Sequence, residues 1–151
     1  MEEPNAETAA RKVRMGRLAK APEGRVAALL DACLDRPGFD WLRAPEIGSV
    51  MVRGRAGGTG QPFNLGEVTV TRCALRLASG EVGHAYLKGR RKADAEAAAL
   101  VDALMQTDAA ARLQSGVLEV LEDEARTARA SRAARAATTK VDFFTMVRGE
   151  D

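Results

Sequence analysis

Apolar residues recur along this chain with two different periods, and the switches between them mark out its elements. Residues 8–20 read as a helix, with Thr8 as its N-cap and Met15, Leu18 and Ala19 on one side. Pro22 sits where a second helix would begin. Val26, Leu29, Leu30, Cys33 and Leu34 then fall at i, i+3, i+4, i+7 and i+8, the stripe of a helix with one buried face. Pro37-Gly38 ends it. The period then shortens towards two. Residues 39–43 and 48–55 read as two strands, residues 56–62 as a glycine-rich loop, and residues 64–77 as the clearest strand. Ser79-Gly80 is a tight-turn signal, so residues 81–88 return as a further strand. The helical period resumes near residue 92, where Ala97, Leu100, Val101, Leu104 and Met105 repeat the stripe, with Asp94, Glu96, Asp102 and Gln106 largely off it. Asp108 can cap a short further turn, which Ser115-Gly116 breaks. Residues 121–137 form an Ala/Arg-rich helix whose acids precede its arginines, an order that suits the helix dipole.

Helices at both ends around a block of strands with short connections predict an α+β fold. The expected core is an antiparallel β-sheet of about four strands, with two N-terminal helices and the C-terminal helices packed on one face. Residues 1–7 are expected to be disordered, 8–140 to form a single α+β domain, and 141–151 to form an apolar, extended C-terminal segment.

Composition narrows the chemistry. The 151 residues include one His and two Cys, too few for a self-contained Cys3His zinc site or a cluster held by four cysteines. A Ser-His-Asp triad would have to run through His84. No metal site is expected. With 23 basic and 21 acidic residues the net charge is +2, far from the basic excess of a general nucleic-acid coat. No apolar run approaches a membrane span and no signal peptide is visible, so a cytoplasmic location is the expectation.

Five features remain as candidates for binding. Gly57, Gly58, Thr59 and Gly60 form a loop whose backbone N–H groups could approach a phosphate. No Gly-Lys-Ser/Thr follows, and the chain continues as a strand, so the competing reading is a wide hairpin turn. Written as alternating faces, the strands place Arg53, Arg55, Arg72, Arg76, His84 and Lys88 on one surface. Val50, Val52, Cys73, Leu75, Leu77, Ala85 and Leu87 then face the helices. Such an arginine face suits phosphate or carboxylate, or is simply solvated, and a one-residue slip of register would split it. Lys88, Arg90, Arg91 and Lys92 surround a helix start, where orphan N–H groups also favour an anion. Arg126, Arg129, Arg132 and Arg135 spread over half of their helix and read as solvated. Last, Val141, Phe143, Phe144, Met146, Val147 and Arg148 make an aromatic terminus that must pack on its own domain or on another subunit. Cys33, Cys73 and Trp41 read as packing residues.

Several of these pieces together resemble one family. They are Gly57-Gly58-Thr59-Gly60, Thr69-Val70-Thr71-Arg72, Arg76-Leu77, Gly89-Arg90 with Lys92, Ala95-Glu96 leading to Asp102-Ala103-Leu104-Met105-Gln106, and above all the terminal run Val141 to Gly149. The chain is similar to the G subunit of the bacterial carbon–phosphorus lyase core complex. The resemblance implies a subunit that works with H, I and J subunits, in two copies per complex, and with an ATP-binding-cassette-type L subunit for the first step of phosphonate catabolism. In that step methylphosphonate displaces adenine from MgATP to give α-D-ribose 1-methylphosphonate 5-triphosphate. The resemblance places the nucleosidase chemistry mainly in the I subunit and transfers no catalytic residue here, so a non-catalytic or accessory role is expected. MgATP is then a substrate of the complex, and no cofactor belongs to this chain. The alternative from the residues alone is a stand-alone α+β module binding RNA or an acidic protein.

Overall fold

The computed structural model describes residues 5–141. The first helix, α1 (Ala6–Lys20), starts two residues earlier than its periodicity suggests. Asn5 is its cap, with Oδ1 accepting from the N–H groups of Glu7 at 2.7 Å and Thr8 at 3.2 Å, so ordered chain reaches into the stretch expected to be disordered. After Pro22 and a left-handed Gly24 comes α2 (Arg25–Cys33).

The two segments expected as separate strands are one, β1 (Phe39–Arg55), so the sheet has three strands rather than about four. Pro45, which lacks an N–H, lies in a stretch of register shifts between Trp41 and Glu46. There the strand bends without ending. It pairs antiparallel with β2 (Pro62–Leu77), which pairs antiparallel with β3 (Val82–Lys88), giving the order β1-β2-β3. The β2–β3 turn closes as Ser79-Gly80 predicts, with Leu77 N–H bonded to Glu81 O and Gly80 N–H to Leu77 O.

Next comes α3 (Lys92–Leu104), which is buried almost all round: Ala95, Ala97, Ala98, Ala99, Leu100, Val101, Ala103 and Leu104 are all in the core. It lies across β2 and β3, with α1 and α2 against its other sides. Small residues permit this. A Cβ on Gly83 of β3 would stand 1.9 Å from the Ala99 carbonyl oxygen, so only glycine allows the helix this close. Leu18, Val26, Leu30, Leu75 and Leu87 complete the core around α3.

Ser115-Gly116 does not break the chain that follows. The short α4 (Ala110–Leu113) runs through a π-helical turn at Gln114–Leu118 into α5 (Glu119–Thr138). Gly116 faces α2, where a Cβ would lie 2.3 Å from Cys33 Sγ. Only the first turns of α5 pack on the domain, through buried Leu121 and the ion pairs Arg17–Glu122 and Arg25–Glu124. From Arg126 onward every described residue of α5 is exposed.

Candidate functional site

One face of the sheet is covered by helices and the other is open. Register decides which arginines meet. Arg72 of β2 stands between Glu46 of β1 and Tyr86 of β3, Ala74 between Arg43 and His84, Arg76 between Asp40 and Val82, and Val70 between Gly48 and Lys88. These residues share the open face. Cys73, Leu75, Leu77, Ala85 and Leu87 face the helices as expected.

Arg53 and Arg55 do not join the other cations. Met51 pairs with Glu67 and Arg53 with Asn64, which puts Met51, Arg53 and Arg55 on the opposite side of the sheet from Arg72. Val50 and Val52, expected against the helices, lie on the open face instead. An extra β2 residue, Leu65, sits opposite the Val52–Arg53 step.

The open face carries two residues that strand alternation alone missed, Arg43 and Glu46. Glu46 accepts from Arg43 Nη1 at 2.6 Å and from Arg72 Nε, and both guanidinium groups, Arg43 first, hold its carboxyl below the usual range. Arg72 is thus an ion-pair member, and a bowl of about 340 Å³ opens beside it, lined by Glu46, Val50, Val70 and Tyr86 among others. Arg76 and Lys88 are exposed and make no ion pair among the described residues. The side chain of His84 is exposed on the same face, and only its backbone N–H is engaged, by Asp102.

The glycine loop is the tip of the β1–β2 hairpin. Gly57 and Gly58 adopt φ of 59° and 82° in a 3-10 turn, a conformation that favours glycine. The loop closes on itself. The N–H of Gly60 and of Thr59 both donate to Ala56 O, and Arg55 Nη1 donates to Gly60 O at 3.1 Å. Those two N–H groups are spent within the turn.

At the basic junction before α3 the four cations separate by role. Arg91 turns inward. Its Nε donates to Asp94 Oδ2 at 2.9 Å and its Nη2 to Ala21 O at 3.0 Å, while Asp94 Oδ1 accepts from Gly24 N–H at 2.8 Å. The backbone N–H of Arg91 donates to Thr71 Oγ1. Arg91 and buried Asp94 therefore lock the α1–α2 turn onto α3, and Arg91 has no free guanidinium for an anion. Lys88, Arg90 and Lys92 stay exposed.

A second buried carboxylate, Asp102, was placed off the apolar stripe by periodicity and yet is 0% exposed. It accepts from Arg11 Nε at 3.1 Å and Nη2 at 2.7 Å, from Arg14 Nη2 at 3.4 Å, and from the His84 N–H at 3.0 Å. This network ties α1, α3 and β3 together. The hydrogen bond to Asp102 raises the Arg11 pKa more than partial burial lowers it. The signal in the sequence was Arg11 and Arg14, three apart on one helix side, against a lone acid in an Ala-rich helix.

Burial pushes the Cys73 thiol up to about 11, and Cys33 is half-buried against Gly116. Arg126 pairs with Asp123 and Arg129 with Glu122 on exposed α5. Val141 is exposed, and Phe143, Phe144, Met146, Val147 and Arg148 lie outside the described residues. No helix among the described residues is long and apolar enough to cross a membrane.

Residues 9–149 match a family described as phosphonate metabolism protein PhnG. A relative from Rhizobium meliloti (strain 1021), alpha-D-ribose 1-methylphosphonate 5-triphosphate synthase subunit PhnG, is 46% identical over 147 residues, which cover 97% of this chain and 94% of that protein. With the match spanning nearly the whole fold, the chain belongs to the PhnG family of phosphonate metabolism proteins.

Proposed function

We propose that this chain is an accessory subunit of an α-D-ribose 1-methylphosphonate 5-triphosphate synthase acting in organic phosphonate catabolism. The observation that carries this reading is its 46% identity, over 97% of its length, to a protein named as a subunit of that synthase. The complex joins a phosphonate oxygen to C1 of the ribose of MgATP. A C–O bond forms, the C–N bond to adenine breaks, and adenine leaves with a proton. Catalysis sits in a partner subunit. H, I and J subunits form the core with this chain, in two copies each, and an L subunit of ATP-binding-cassette type joins for this step in the cytoplasm.

Both substrates are phosphorus oxyanions, and guanidinium groups bind them bidentately. The open sheet face is this chain's part in that chemistry. Arg76 and Lys88 are free of acid partners there, and Arg72 is held by one exposed carboxylate that a stronger anion or an acidic subunit can displace. The terminal segment 141–151 supports the same reading as a docking element.

The test is co-expression with the H, I and J subunits. The tagged chain should co-elute with all three as one species in size-exclusion chromatography, at equal stoichiometry. Elution of this chain by itself, with the other three assembled without it, would refute the reading.

A further inference from the structure

The hairpin of β1 and β2 outruns the rest of the sheet. β3 pairs with Val70–Arg76 only, so Ser49–Arg55 and Pro62–Thr69 form a two-stranded ribbon with no third strand. Seven residues at ~3.3 Å each carry it roughly 23 Å beyond the end of β3. Isolated two-stranded hairpins are marginal in water, and an open strand edge invites another chain.

This ribbon is apolar on both faces. Val50, Val52, Phe63 and Val68 share the open side, because Gly54 pairs with Phe63, Val52 with Gly66 and Val50 with Val68. Met51 points to the other side, and Leu65 stands out at the bulge. Phe63 is 45%, Met51 49% and Leu65 66% exposed. Arg53, on the Met51 side, makes no ion pair among the described residues.

Area decides how such an arm is used. Taking a strand pair as roughly 10 Å wide and 10 Å thick, one face offers about 230 Å² while all sides together offer on the order of 900 Å². A stable interface takes ~800 Å² from each partner. A flat contact, or edge-to-edge pairing with a second copy, leaves at least one apolar face in water.

We propose that the ribbon is an inserted arm, enclosed on both faces by an apolar groove of another subunit of the same synthase, with an acidic side chain of that groove meeting Arg53. This rests on the subunit reading above. It concerns a surface distinct from the terminal segment and from the arginine face.

Hydrogen exchange on the free chain and on the assembled complex tests it. Amides of residues 49–55 and 62–69 should exchange rapidly in the free chain and at least ~100-fold more slowly in the complex. Met51→Lys and Phe63→Lys, one on each face, should each lower incorporation about tenfold or more. Each variant should keep the circular dichroism and melting temperature of the parent chain. Three results overturn the arm while leaving the subunit reading intact: co-purification with the ribbon unprotected, sensitivity to only one of the two substitutions, or protection in a dimer of this chain alone. Failure to co-purify with any partner overturns both.

Discussion

Replacing Asp102 by Ala should destabilise the chain by about 3 kcal/mol, a value set by what the carboxylate holds. Asp102 is 0% exposed and serves four donor contacts, two from Arg11, one from Arg14 and one from the His84 backbone. Truncation leaves one buried amide orphaned and two guanidinium groups without their counter-ion. Breaking a fully buried pair costs roughly 3–5 kcal/mol. Arg11 is 32% and Arg14 15% exposed at the side chain, so both regain some water and the lower end applies. Asp102→Asn keeps an acceptor for His84 and should cost less, about 1–2 kcal/mol. Arg14 Nε is buried without a hydrogen-bond partner, so Arg14→Met should be close to neutral. Urea unfolding is the assay. With a slope of ~1.5–2 kcal/mol per molar, Asp102→Ala should move the midpoint down by about 1.5–2 M at unchanged slope. A loss under about 0.5 kcal/mol would show that α1 is not anchored through this network.

Arg72→Ala with Arg76→Ala should leave the urea midpoint nearly unchanged, since exposed ion pairs are worth ~0–1 kcal/mol, and should lower complex assembly or adenine release several-fold. Unchanged assembly and release would remove the open face from the account. Deleting residues 141–151 should release the chain from its partners while circular dichroism still reports the folded domain; intact co-purification would contradict this. Cys73, raised from 9.0 to about 11 by burial first and Glu96 second, should resist thiol reagents at pH 8, where Cys33 reacts faster. Because that pKa is raised on folding, its contribution to stability is complete below pH 9 and is lost as pH climbs towards 11. Rapid labelling of Cys73 in the native chain would show that β2 is not covered as described.

The helices were legible because each stripe reports one buried face, and α2 and α3 fall where Val26 to Leu34 and Ala97 to Met105 place them. The polar side of α3 misled, because this helix is enclosed on nearly all sides. Asp94 and Asp102 therefore carry buried pairs instead of a solvated face. The strand faces were less legible. Val50, Met51 and Val52 are apolar in succession, so alternation offers no preferred side, and pairing with β2 places Arg53 and Arg55 away from Arg72. Arg91 could not be told from its cationic neighbours, since its inward turn depends on Asp94 and the carbonyl of Ala21 across the fold. The arginines of the open face are interleaved with Asp40 and Glu46, which breaks up the continuous cationic track expected of an RNA-binding sheet.

The central claim, that this chain is a required subunit of the synthase, is tested most directly by leaving it out. Purified H, I and L subunits, supplied with MgATP and methylphosphonate, should release no adenine above background without this chain. Adding the purified chain back should restore release in proportion to the complex formed. Full adenine release and formation of the ribosyl phosphonate in its absence would contradict the account.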